Sequence, residues 1–110
     1  MEIKKVVEHT TLTVEIIGRL DVVTVPDLDE ELKKSIAGMK IWIFDLAKLD
    51  YIASAGLRLL LKYQKLANRT DCTMKIKNVK KDVREVFVIT GFNDFLNIVD
   101  NHGKKLSIEF

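Results

Sequence analysis

The order of apolar segments along this chain predicts an α/β fold, a mixed β-sheet of about five strands with helices packed against it, built as a single domain over residues 1–110. Three features carry that expectation. Segments rich in alternating or β-branched apolar residues take turns with segments whose apolar residues recur at helical spacing. The run Ile41-Trp42-Ile43-Phe44 is continuously apolar, as expected of a central strand covered on both faces. Neither a low-complexity tract nor an internal repeat interrupts the sequence, and its only proline reads as part of a helix start rather than a linker.

Taken in order, Ile3 to Val7 and Leu12 to Ile17 read as a β-hairpin joined by the short polar segment 8–11. Gly18-Arg19-Leu20-Asp21 ends the second strand. Thr24 and Pro26 then open a helix, because the missing N–H of proline is harmless in a first turn. Asp27, Asp29, Glu30 and Glu31 suit the positive end of that helix, Val25, Leu28, Leu32 and Ile36 form its apolar stripe, and Gly38 marks its stop. Lys40 to Leu46 is the central strand. After a short connection, Ser54 stands where a serine oxygen can cap a second helix, marked by Leu57, Leu60, Leu61, Gln64 and Ala67. Cys72 to Lys77 alternates as a half-exposed strand with Met74 and Ile76 inward. A third helix follows from about Lys80 to Thr90, with Val83, Val86 and Phe87 inward and a close at Gly91. A turn around Asn93 to Leu96 leads to a last strand near Leu106 to Phe110.

Composition narrows the function. With 47% hydrophobic and 31% charged residues the chain has the apolar content to close a core. Its 18 basic and 16 acidic residues leave a formal charge of +2, too balanced for general attraction to nucleic acid or anionic lipid. The single cysteine, Cys72, excludes an internal disulfide, a redox pair and a zinc-finger spacing. Residues 1–8 lack the apolar stretch of a secretion signal, and no run approaches the ~20 residues of a membrane span, so a cytoplasmic protein is expected.

Few residues are placed for chemistry. His9 and His102 fall in polar turns without a second ligand at metal-binding spacing, so no metal is expected, and Ser54 has no oriented base that would make it a hydrolytic nucleophile. Gly18, Gly38, Gly56, Gly91 and Gly103 are too scattered to write a phosphate-cradling loop, so no nucleotide cofactor is expected either. Lys75, Lys77, Lys80, Lys81 and Arg84 form a basic run without interleaved aromatics, which reads as solvated surface. Asn68-Arg69-Thr70 matches a glycosylation sequon without a route to a secretory compartment. What stands out is Asp45, Asp50 and Ser54, two carboxylates and a hydroxyl between a buried strand and a helix start, the end of an α/β sheet where sites are usually built. Local physics alone reads them as turn chemistry and a serine cap.

The run from Phe44 to Arg58, Phe-Asp-Leu-Ala-Lys-Leu-Asp-Tyr-Ile-Ala-Ser-Ala-Gly-Leu-Arg, resembles the signature of the STAS domain, the fold of bacterial anti-sigma factor antagonists. Gly18-Arg19-Leu20-Asp21 is similar to the Gly-x-Leu-Asp that follows the second strand of that family, and Thr90-Gly91-Phe92 to the segment that ends its third helix. The resemblance implies a non-catalytic partner switch. The unmodified antagonist binds an anti-sigma factor, usually a serine kinase of the histidine-kinase-like ATPase type, and phosphorylation releases it. Matched residue by residue, it implies phosphorylation at Ser54 and partner binding through Asp21, Asp50, Ala53, Ser54, Ala55, Gly56 and Leu57. Two positions depart from the family pattern, Ala53 where an aspartate often precedes the phosphoserine and Ala55 where a serine or threonine often follows it. The rival readings are a subunit of another signalling complex in which Ser54 is not phosphorylated, and a small-ligand-binding module.

Overall fold

The computed structural model describes residues 1–100 and 104. Within them β1 (Glu2–Glu8), β2 (Thr11–Leu20), β3 (Ile41–Asp45), β4 (Leu49–Ile52) and β5 (Thr73–Lys77) alternate with α1 (Val25–Ser35), α2 (Ser54–Arg69) and α3 (Lys81–Ile89). A short 3-10 turn covers Phe92–Asp94. The sheet is mixed, as expected: β1 pairs antiparallel with β2, while β2 with β3 and β3 with β5 are parallel, giving the order β1-β2-β3-β5, with β4 added parallel to the far end of β2. The last expected strand, Leu106 to Phe110, lies outside the described residues.

The hairpin forms as the sequence predicts, with Glu8 opposite Thr11 and His9 in the left-handed region at φ 55°. His9 is therefore a turn residue. The central position of β3 also holds, but its two faces are not alike. Trp42 and Phe44 are buried, whereas Ile41 and Ile43 are only half-buried. Register explains the asymmetry: Leu12, Trp42 and Met74 lie side by side, as do Val14, Phe44 and Ile76, and these rows join residues of all three helices in the core. The opposite rows, Thr13-Ile43-Lys75 and Glu15-Asp45-Lys77, mix apolar and charged side chains. The apolar run of β3 thus belongs to a sheet with one fully covered face, and the two-sided burial expected for it is not found.

Polar ties set the helices. Tyr63, 1% exposed, donates its hydroxyl to Asp29 Oδ1 at 2.6 Å, joining α2 to α1, and meets Trp42 edge-on with ring centres 6.3 Å apart. The buried Gln64 accepts the N–H of Asn97 at 3.1 Å, and Asn97 donates its side-chain amide to Met74 O at 2.9 Å. These bonds hold the segment after α3 against the edge of β5, where Ile98 makes a parallel bridge to Ile76. Leu61, expected with the apolar residues of α2, is half-buried on the outer side of the helix, and the inward positions go instead to Leu59 and Tyr63.

Candidate functional site

The site is assembled by a strand that the sequence reading left as a connection. In β4, Gly18 lies opposite Leu49, then the register slips by one residue, so that Arg19 faces Tyr51 and Leu20 faces Ile52. Gly18 takes φ +100°, a conformation open to glycine at little cost, and donates its N–H to Lys48 O at 2.9 Å. The ladder ends where Ala53 donates its N–H to Leu20 O at 2.9 Å. Parallel pairing brings the C-terminal ends of β2 and β4 together, and with them the loop at Asp21 and the start of α2. Pairing through a slip, with only the outer residues Leu49 and Ile52 buried, leaves no alternating pattern to read in the sequence.

Ser54 is exposed, but it is not the cap expected of it. Ala53 occupies the cap position with extended backbone (φ −94°, ψ 171°), and Ser54 is the first helical residue. The ladder bond from Ala53 fixes the reason, since it holds that residue in the strand and the first helical bond then runs from Leu57 N–H to Ala53 O. The Ser54 hydroxyl is therefore presented to solvent at the head of α2 and has no cap to hold. Gly56 and Leu57 are buried beneath it, and Ala55 is half-buried. A Cβ on Gly56 would come within 2.8 Å of Ile52 Cγ1 and 2.9 Å of Leu20 Cγ, so only glycine lets the helix start sit this close to the sheet.

Asp21 shapes the neighbouring loop. Its Oδ1 accepts the backbone N–H groups of Val23 at 3.0 Å and Thr24 at 3.1 Å, while Thr24 Oγ1 accepts the Asp21 N–H at 2.9 Å. The Thr24 N–H, with help from Val23, the Thr24 hydroxyl and the Arg19 charge, holds the Asp21 carboxyl below the ordinary aspartate range. The turn pushes Val22 and Val23 into solvent, 73% and 77% exposed. Tyr51 of β4, opposite Arg19, is 42% exposed, with the Arg19 guanidinium 4.2 Å from its ring centre.

The expected cluster of Asp45, Asp50 and Ser54 is divided. Asp45 accepts Ala47 N–H at 3.0 Å and the Asn78 amide at 3.1 Å, closing the turn after β3. Asp50 is ion-paired to Lys80 beside the start of α3. The exposed apolar residues that adjoin this ladder end along the chain are Val22 and Val23, just past the Leu20 that bonds Ala53, and Tyr51, just before Ile52, none of them singled out from sequence. Their signal was two β-branched residues standing in a turn between Asp21 and Thr24. His9, at the opposite end of β2 roughly 30 Å away by strand length, cannot serve Ser54 as a base. Among the described residues no group of three or more His, Cys, Asp and Glu side chains could hold a metal ion, and no helix is long and apolar enough to cross a membrane.

The STAS domain model matches residues 2–104. The anti-sigma-B factor antagonist of Staphylococcus epidermidis is 30% identical over 99 residues, covering 89% of this chain and 92% of that one. Its Staphylococcus aureus counterpart is 33% identical over 86 residues, covering 77% and 80%. A further relative, from Bordetella bronchiseptica, is 39% identical over 66 residues, which span 59% of this chain and 57% of its own length. Among solved structures, the unphosphorylated form of the anti-sigma factor antagonist SpoIIAA superposes with a TM-score of 0.76 at 20% identity, over 90% of this chain and 87% of that one. The phosphorylated form of the Bacillus SpoIIAA gives 0.71 at 19% identity, over 90% of each chain. The strand order, the paired Gly-x-Leu-Asp and Ser-x-Gly-Leu segments and these matches agree, and the chain belongs to the STAS domain family.

Proposed function

We propose that this protein is an anti-sigma factor antagonist that binds an anti-sigma factor of the histidine-kinase-like ATPase type and is released when Ser54 is phosphorylated. The observation that carries this reading is Ser54, exposed at the first position of α2, a helix start tied by the Ala53–Leu20 bond to the end of β2, from which the loop with the exposed Val22 and Val23 departs. Exposed apolar residues on a loop leaving the strand end that holds one modifiable hydroxyl suit a switchable interface. Phosphorylation adds about −1.5 to −2 charge at neutral pH, which a helix start tolerates and an apolar or acidic contact does not. Asp21, Asp50, Ala53, Ala55, Gly56 and Leu57 enter the interface in different ways. Asp21 shapes the valine loop, Gly56 and Leu57 seat the helix, Ala53 and Ala55 flank the serine in sequence, and Asp50, paired with Lys80, stands at the outer margin. The protein acts by binding, in the cytoplasm, with no catalysis or cofactor of its own.

Ala53 favours one variant of this reading. An apolar residue replaces the carboxylate that often precedes the phosphoserine, so a kinase that reads that acid would modify Ser54 slowly and docking would approach a constitutive state. The test is calorimetric titration of the full chain with an anti-sigma ATPase of the histidine-kinase-like type from the same organism, before and after incubation with Mg-ATP, with mass spectrometry of Ser54. Loss of binding in step with a phosphate on Ser54 supports the switch. Tight binding with Ser54 unmodified supports the constitutive variant, and absence of binding sinks both.

A further inference from the structure

The outer face of α2 carries a charge pattern that folding does not explain. At about 100° per residue, Ser54, Arg58, Leu61, Lys62, Lys65 and Arg69 fall within an arc of about 100° along the whole helix. The last five line one shallow depression of about 370 Å³ with no carboxylate among them. Lys62 is neutralised by Asp29 at 3.1 Å, but Arg58, Lys65 and Arg69 are exposed and form no ion pair among the described residues.

Helix electrostatics favours acids near an N-terminus and bases near a C-terminus. Helix α1 follows that rule, with Asp27 in its first turn and Lys33 and Lys34 in its last. Helix α2 has no acidic residue in its first turn, and indeed none in its sequence SAGLRLLLKYQKLANR. Arg58 stands near its positive end, and each cation has another three or four residues away, a spacing at which like charges oppose the helix. Arg58, Lys65 and Arg69, spaced along one face at intervals at which like charges repel and left without an ion pair among the described residues, are complementary to negative charge. The stripe holds no aromatic side chain on which a base could stack and only Leu61 as an apolar contact, which argues against nucleic acid and a lipid surface.

We propose that the outer face of α2 is a docking track for an acidic segment of a protein partner, running from Ser54 to Arg69. It extends the interface proposed above and rests on the reading that this protein works by binding another protein, but not on phosphorylation of Ser54. Because Ser54 heads the same stripe, a phosphate there would face Arg58 one turn away and repel the acidic segment.

The test is an NMR titration of the full chain with an oligoglutamate peptide of about ten residues, long enough at ~3.3 Å per residue to cover the stripe. Amide shifts confined to 54–69, weakening at least tenfold between low and physiological salt, are expected. The variant Lys65→Glu/Arg69→Glu should lose them. Lys65→Gln/Arg69→Gln, which places no negative charge at the helix C-terminus, should weaken them several-fold if the reversed variant fails to fold. Shifts scattered over the chain, or unchanged in both variants, would overturn the proposal. So would tighter binding of an oligonucleotide or of anionic vesicles to the same residues at equal salt. A cognate ATPase that binds the parent and the Lys65→Gln/Arg69→Gln variant equally, yet loses Ser54→Asp, would leave the proposed function standing and refute the track.

Discussion

Gly56 and Leu20 are pressed together at the centre of the candidate site: a Cβ on Gly56 would lie 2.9 Å from Leu20 Cγ. The two motif segments, one ending β2 and the other opening α2, are therefore a single packing unit. The helix start that presents Ser54 rests by its own backbone on the ends of β2 and β4.

Gly56→Ala tests that unit. Alanine is the better helix former by about 1 kcal/mol, but here its methyl group meets the buried branches of Leu20 and Ile52. The collision should dominate, with a net loss of about 1–3 kcal/mol in urea titration. Unchanged stability would mean that the start of α2 is free to shift.

Ser54→Ala should leave stability within about 0.5 kcal/mol, because the serine is the first helical residue and not the cap. Ser54→Asp should match the parent or gain about 0.3–1 kcal/mol from the helix dipole, while weakening partner binding. A loss of 1 kcal/mol or more in the alanine variant would restore the capping role.

Val22→Ser/Val23→Ser should fold normally, since both side chains already face water. Removing a central apolar anchor typically costs an interface 2 kcal/mol or more, so affinity for the cognate ATPase should fall by about 30-fold. Equal affinity would move the interface away from this loop.

Tyr63→Phe removes the hydroxyl that holds the Asp29 carboxyl below its ordinary value of 3.8, the largest cause of that shift. A depressed carboxylate pKa stabilises the fold above the unfolded value, and the contribution fades as pH falls through the lower folded value. The variant should therefore lose about 1–2 kcal/mol at pH 7, and the gap to the parent should narrow as pH falls below the ordinary aspartate value of 3.8. A gap independent of pH would show that packing, and not the charge-assisted bond, is lost.

Phe44→Ala should cost about 3–5 kcal/mol, and Ile43→Ala only about 1 kcal/mol, because Phe44 faces the core and Ile43 the partly open side. Equal losses in denaturant titration would mean that both faces of β3 are covered.

By itself the sequence determined the elements whose periodicity is local: the hairpin, the three helices, the central place of β3 and the Ser54-Gly56-Leu57 start of α2. Each is written in contacts between residues two to four positions apart, the distance over which a pleat or a helical turn repeats. Only the tertiary structure decided that Leu49–Ile52 is a strand, that Ser54 presents its hydroxyl and caps nothing, and that the start of α2 is tied to the end of β2 beside the Asp21 loop. All three depend on the slipped pairing between β2 and β4, a match of backbone groups about 30 residues apart. Backbone hydrogen bonds carry no side-chain identity, so a four-residue strand buried only at its two ends left no pattern in the sequence to read.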